Sequence, residues 1–408
     1  MFPFFWLVIG GMLRTPLLLA SGLLGIYGLR QARLLPRLLS YGSWVLPMMI
    51  LTVMGLIRHG SESEVINPIW FVLVLFYALP AGILVAHGAG NSRAVLNWVC
   101  TFVMLGFGLW SFLVMQQVDL SEVVRLTNDV ATRLDQKYSV DLFGVFSWDN
   151  VKMAIIPWCA YPLAAIVAVA CRGPMLGRVV LLVAGAIGAY VAGAFLTRTV
   201  FFASGIAIVA ILPIYLIKAN SKTLLLSLAI FFILAIAVAA TIHSVPVINE
   251  YVNGLMDRFS YTSDDSRQYL WADATKLILA RPTGGGDALL EDHLWAHNLP
   301  LDMGLLYGFP GIAATLWMIC MLLVAVTRWA LRLRGSVDVF DVTFLSVFIA
   351  ALVSCMISPP DLAFITPLVF IGVFARERAR MLPSRVPRVR VIVNSPLPAP
   401  NAATGAHV

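Results

Sequence analysis

The sequence predicts an all-α, polytopic membrane protein, and three observations carry that expectation. Of its 408 residues, 60% are hydrophobic and only 12% are charged, where a soluble domain has about 25% charged residues. The mean hydropathy is +0.89. Apolar runs recur along the whole chain, each long enough to cross a bilayer as a helix, which takes about 18 residues or more. A membrane barrel would instead alternate polar and apolar residues in short segments, and these runs do not.

Taken in order, the first 30 residues hold one long span or two, because Arg14 and Pro16 interrupt them. The N-terminus is apolar at once, with no basic region and no cleavage site, so no cleavable signal is expected. Spans follow near 40–57, 68–87, 94–115, 151–171, 179–196, 199–217, 223–242, 301–327, 339–357 and 361–375, eleven or twelve in all. This divides the chain into a transmembrane bundle (1–242, with an external loop at about 116–150), a large external loop (243–300), closing spans (301–375) and a basic tail (376–408). The tail is rich in Pro and Ala and reads as disordered. Cys100, Cys159, Cys171, Cys320 and Cys355 lie in or beside apolar runs without a CxxC pair. They read as small buried hydrophobes and give neither a disulfide framework nor a metal site.

Orientation follows from Lys and Arg. With the tail cytoplasmic, the short loops holding Arg30/Arg33/Arg37, Arg93, Arg172/Arg178, Lys218/Lys222 and Arg328/Arg332/Arg334 are cytoplasmic too. Only Asp338, Asp341 and Glu377 are acidic on that side. The two long loops face the opposite side. The net charge of +7 is therefore mostly a positive-inside signature and does not point to nucleic acid. In the loop 116–150, Val123, Leu126, Val130 and Leu134 recur at helical spacing, which predicts an amphipathic helix on the membrane surface or on the second loop.

Three places carry polar residues whose position asks for a reason. The stretch 179–217 is about 39 residues, or about 58 Å as a straight helix, nearly twice the hydrocarbon thickness of about 30 Å. The chain must turn back at the polar break "TRT" (197–199), which places Arg198 at the external surface. There it either snorkels to lipid phosphate or clamps an anion. In the large loop a helix is expected from Asp264 onward, capped by Asp264, Asp265 or Ser266, with Arg267, Trp271 and Ala274 on one face. Arg267 could also simply pair with Asp264 or Asp265. Arg281 and Pro282 close this helix and "TGGG" (283–286) makes a flexible turn. No Gly-Lys-Ser/Thr follows, so a nucleotide loop is excluded. Third, His297 and Asn298 stand just before an apolar run. A lone histidine at a helix start is commonly structural, and with His293 it could form a metal-binding pair. "HLWAH" lacks the glutamate of a zinc protease helix, and no metal is expected.

Arginine holds phosphate by forked hydrogen bonds and stays charged, while histidine titrates near neutral pH and can act as a general base. Gathered on one side at membrane depth, these groups suit group transfer from a lipid diphosphate, which brings its own activated bond and needs no nucleotide.

The run His297-Asn298, nine residues, Gly308, two residues, Gly311 resembles the signature of the O-antigen ligases, within the wider O-antigen ligase and polymerase superfamily. Arg198 in a tight external turn, Arg267 in the helical part of a large loop between late spans, the closing spans, the tail and the span count are similar as well. The resemblance implies a fold like that of the GT-C membrane glycosyltransferases, with the large loop periplasmic. It implies transfer of O-antigen polysaccharide from undecaprenyl diphosphate to a sugar of lipid A–core, at the periplasmic face of a bacterial inner membrane, with no cofactor, metal or nucleotide. Carried over, His297 would be the base that activates the acceptor, and Arg198 and Arg267 would bind the donor diphosphate. Asn298 would orient the histidine or a sugar hydroxyl. Arg281 and Trp271 are further substrate-binding candidates, and Gly308 and Gly311 would allow close helix packing. A polymerase joining lipid-linked repeats would share the donor site and differ in its acceptor. Transfer to protein would call for more external sequence. A transporter would place charges in mid-membrane, where these spans have almost none, and a membrane scaffold would leave the cluster unexplained.

Overall fold

The computed structural model describes residues 14–59, 69–88, 92–116, 140–142, 146–148, 151–170, 173–195, 197–218, 249, 253, 266–285, 296–333, 337–358 and 362–382. The helices are α1 (Arg14–Gln31), α2 (Gly42–His59), α3 (Ile69–Gly88), α4 (Arg93–Gln116), α5 (Val151–Ala165), α6 (Met175–Ala194), α7 (Arg198–Lys218), α8 (Ser266–Ala280), α9 (Leu299–Arg332), α10 (Val339–Ile357) and α11 (Leu362–Met381). Short 3-10 segments, Leu35–Tyr41 and Ile166–Ala170, precede α2 and follow α5.

Six stretches are long and apolar enough to cross a membrane: Leu35–Ile57, Ile69–Gly88, Arg93–Gln116, Met175–Ala194, Leu299–Arg332 and Val339–Ile357. Shorter apolar helices cover Ile155–Val169 and Arg198–Leu212. The chain is a helical, multi-pass membrane protein. The described residues give six such stretches rather than the eleven or twelve spans expected. The span expected at 223–242 lies outside the described residues, and α11 ends in the charged run Arg376, Glu377, Arg378, Arg380. The amphipathic helix expected on Val123, Leu126, Val130 and Leu134 also lies outside them. Further along the same loop the chain forms an antiparallel pair, β1 (Val140–Leu142) with β2 (Phe146–Trp148), Val140 opposite Trp148. Val-Asp-Leu and Phe-Ser-Trp alternate with the period of a strand and use residues that suit a pleated surface.

The helices pack as two groups joined through α10 and α11. In one, α3 lies against α1, α2 and α11, and α9 lies against α2 and α11. In the other, α5 packs on α4, α6 and α7. Helix α10 touches α4, α5, α7, α9 and α11 and is buried along most of its length. Small residues allow the close approaches usual between membrane helices. A Cβ at Gly188 of α6 would stand 3.0 Å from the carbonyl oxygen of Cys159, and one at Gly108 of α4 would stand 3.1 Å from that of Ala184. Aromatic edges fill the α9–α10–α11 crossing, where Phe374 meets Trp329, Phe340 and Phe344.

The three acidic residues of the basic side all serve to join helices. Arg93, the first residue of α4, pairs with Asp338 and Asp341 at the start of α10. Asn97 adds a hydrogen bond there, its Oδ1 accepting from the Phe340 N–H at 2.8 Å. Glu377 is buried on α11, where it accepts from the Tyr41 hydroxyl at 2.9 Å and from Arg380 at 2.7 Å and lies 3.4 Å from His87 Nε2. Removing a partner from a buried carboxylate costs more than the pair itself contributes. Asp341 is 4% exposed, so Arg93→Ala should cost about 2 kcal/mol, read as a lower unfolding midpoint in detergent with no change in helix content.

Candidate functional site

Helix α9 is 34 residues long, about 51 Å if straight and too long for one bilayer crossing. It does not run straight. Gly308 interrupts it with φ 69° and ψ −155°, a conformation essentially reserved for glycine, and Pro310 follows within the same turn. The break leaves a short half-helix, 299–307, leading into a longer apolar stretch, 310–332.

The interruption exposes backbone groups that something must satisfy. The turn after α8 does so. The Gly285 N–H donates to the carbonyl oxygens of Leu305 and Leu306 at 3.0 and 3.3 Å, and the Phe309 N–H donates to the Pro282 carbonyl at 2.9 Å. Gly284 and Gly285 have φ of 99° and 83°, and the Arg281 guanidinium closes the turn by donating to the Gly285 carbonyl at 2.8 Å. The glycine turn read as flexible is thus docked into the break. A Cβ on Gly308 would collide with the Pro282 carbonyl, and one on Gly311 with the Met303 carbonyl. Gly308 makes room for the docked turn, and Gly311 makes room for the half-helix that folds back over it.

Helix α8 lies along this half-helix. Ala274 and Ile278, three and seven residues after Trp271, form with Ala296 and Leu305 a small apolar core of their own, against which Trp271, Leu277, Leu301 and Ile312 pack. The helix begins at Ser266, close to the predicted start. Trp271 does more than pack: its indole N–H donates to the Ala296 carbonyl at 2.7 Å.

That bond anchors the residue before His297. His297 itself has φ 56°, a left-handed conformation uncommon outside glycine, in which histidine is over-represented. Its neighbours hold it there. Asp302, fully buried, accepts from the Ala296 N–H at 2.7 Å with Oδ1 and from the Asn298 N–H at 3.0 Å with Oδ2. One carboxylate thus grips the chain on both sides of the histidine. Asn298 is the N-cap of the half-helix, its Oδ1 accepting from the Leu301 N–H at 3.3 Å, the usual work of asparagine at that position. Its amide also donates to the Met356 carbonyl, at 3.3 Å, near the end of α10. His297 is left partly buried, at the junction of α8, the half-helix and the end of α10.

Arg198 stands where expected, at a tight turn. Helix α6 ends at Ala194, the Thr197 N–H donates back to the Ala192 carbonyl at 2.9 Å, and Arg198 begins α7, partly buried. A chain of contacts places it at the same end of the bundle as His297. Asn298 reaches Met356 at the end of α10. Ala363, at the start of α11, accepts from the Tyr161 hydroxyl of α5 at 2.9 Å. The neighbouring Ala160 carbonyl accepts from Ser204 at 3.2 Å, and Ser204 lies on α7 fewer than two turns after Arg198. The structure thus gathers around one half-helix the segment Ala296–Asn298, held by Trp271 and Asp302, and the docked turn that Arg281 closes, and sets Arg198 at the same end on a neighbouring helix. Arg267 occupies the first turn of α8, one turn before Trp271; its side chain lies outside the described residues, as do His293, Asp264 and Asp265. Among the described residues no group of three or more His, Cys, Asp or Glu could hold a metal ion.

Asp302 belongs to this candidate site without being among the residues expected from the sequence, although the sequence carries a signal for it. It is the only charged residue between Leu299 and Thr327, and an ionisable group in an apolar run marks a specific task. A scan against protein-family models gave no match for this chain, and a search of curated proteins gave none either, so the arrangement of these residues is what carries the functional reading.

Proposed function

We propose that this protein transfers a glycan from a polyprenyl-diphosphate carrier to a hydroxyl group of a lipid-linked acceptor, as the O-antigen ligases it resembles do with undecaprenyl diphosphate and lipid A–core. One observation supports this above the others. A histidine is held in a strained backbone conformation by a buried carboxylate, at the head of an apolar membrane helix and at the same end of the bundle as Arg198. Strain of this kind persists only where the surroundings over-determine it, and it clusters at functional sites. The acceptor hydroxyl attacks the anomeric carbon of the donor sugar, and its proton passes to His297. The bond from that carbon to the diphosphate oxygen breaks, and the carrier diphosphate departs with the electron pair. Arg198 and Arg267 are assigned to the diphosphate, where arginine stabilises the charge that develops on leaving. In this reading the membrane is a bacterial inner membrane and the site faces the periplasm.

The test is direct. The purified protein is given a polyprenyl-diphosphate-linked glycan and lipid A–core, without nucleotide or added metal. Wild type should label lipid A–core, and folded His297→Ala should do so at least about 100-fold more slowly, the lower end of what a general base contributes. Unchanged transfer by that variant would sink the assignment of the base. Lengthened donor with no label on lipid A–core would make the enzyme a polymerase that uses the same donor site.

A further inference from the structure

At the other end of α9 from His297, a cleft of about 450 Å³ opens between α2, α9 and α11. Its mouth is cationic. Arg328 and Arg332 come from the end of α9, and Arg376 and Arg380 from the end of α11. The rest of its lining is mostly apolar, with Cys320, Met321, Val324 and Ala325 of α9 and Trp44 of α2. From Cys320 to Arg332 is about 18 Å along a helix, so the cleft runs from the charged end well into the apolar band. Leu323, Val324 and Leu331 are exposed beside it, a surface that a bilayer covers in a membrane protein.

The charge in this cleft is not balanced. Of the four arginines, Arg380 alone has an ion pair among the described residues, with Glu377 at 2.7 Å. Arg376 donates to the Ser40 carbonyl at 2.8 Å and stacks over the Tyr41 ring at 4.3 Å. Arg332 donates to the Ala379 carbonyl. These contacts fix two guanidinium groups in place and neutralise neither. Arg328 is exposed. The chain's own tail offers no counter-charge, since residues 383–408 include Arg385, Arg388 and Arg390 but no Asp or Glu. Three cationic side chains therefore border one end of an apolar groove that is open to lipid.

We propose that this cleft binds an anionic phospholipid from the leaflet on the basic side of the protein, which the positive-inside rule makes cytoplasmic. The phosphate lies against Arg328 and Arg332, within the field of Arg376, and an acyl chain runs along Val324 and Cys320 beside Trp44. Guanidinium forks match phosphate oxygens, and basic pockets between membrane helices commonly take such headgroups. A free anion would satisfy the mouth and leave the apolar wall unused. A phospholipid satisfies both.

The experiment uses the purified full chain in detergent, titrated with phosphatidylglycerol or phosphatidylcholine and read by native mass spectrometry. Wild type should retain phosphatidylglycerol preferentially. Arg328→Gln should lower its affinity about fivefold, the effect of one basic residue near an anionic surface, with no change in unfolding midpoint. Arg30→Gln, an exposed arginine at the same end outside the cleft, should leave it unchanged. Cys320 gives a second readout. It lines the cleft and is the exposed cysteine among those described, so its maleimide labelling, located by peptide mapping, should slow when phosphatidylglycerol is added. Equal protection by inorganic phosphate would make this a site for a soluble anion and overturn the proposal. So would an unchanged affinity in Arg328→Gln, or an equal loss in Arg30→Gln, which would reduce the effect to general surface charge.

Discussion

Gly308→Ala should destabilise the protein by about 4 kcal/mol, enough to remove most folded material from a detergent extract. Two costs add. The backbone at this position has φ 69° and ψ −155°, which an L side chain enters only under strain, and a methyl group would collide with the Pro282 carbonyl. Relief requires either straightening α9 or expelling the turn after α8. Straightening would withdraw the acceptors that Gly285 uses, the carbonyls of Leu305 and Leu306. Expelling the turn would leave those carbonyls and the Phe309 N–H without their partners. Fluorescence-detected size exclusion of the whole extract measures the outcome without purification. A monodisperse peak at the wild-type yield and midpoint would mean that the break is not required.

Asp302→Ala should have the next largest effect, and on a different observable. The carboxylate accepts from the Ala296 and Asn298 N–H groups in a buried setting, and losing both bonds should cost about 3 kcal/mol. The larger consequence falls on the proposed transfer. His297 sits between the two gripped residues, and a displacement of about 1 Å in a reacting group can cost about 100-fold in rate. Asp302→Asn keeps one acceptor oxygen and turns an amide N–H toward a backbone N–H, so it should fall between wild type and alanine. Transfer rates and unfolding midpoints measured on the three proteins separate positioning from folding. If Asp302→Ala transfers glycan at the wild-type rate, the carboxylate does not position the histidine.

The fold was legible in the sequence wherever one long apolar run met one solvent. The helices near 68–87, 94–115 and 339–357 lie within about two residues of their expected bounds, because hydrophobic length alone decides such elements. The turn at 197–199 was legible for the same reason, since a largely apolar stretch of 39 residues with one polar break cannot cross once. Hydropathy gives no warning where backbone geometry decides. The run after Asn298 looks like one span, yet Gly308 splits it, and hydropathy carries no trace of a positive φ. "TGGG" reads as slack by composition and is docked by its hydrogen bonds to α9. Val140–Trp148 was hidden inside a loop whose upstream residues repeat at helical spacing. At the candidate site, His297 and Asn298 were found from their place before an apolar run. Asp302 was missed because its partners are backbone N–H groups, which a sequence does not display as a constellation of side chains.

The break at Gly308 also separates two mechanical duties. A continuous helix would carry any change of tilt along its whole length, and spanning helices tilt as bilayer thickness varies. Here the half-helix 299–307 is fastened to the turn after α8 and, through Asn298, to the end of α10. The stretch after Pro310 meets this unit through Ile312 and Gly311, so the depth of His297 is set by the fastened half-helix and these contacts, not by a continuous helix running through it.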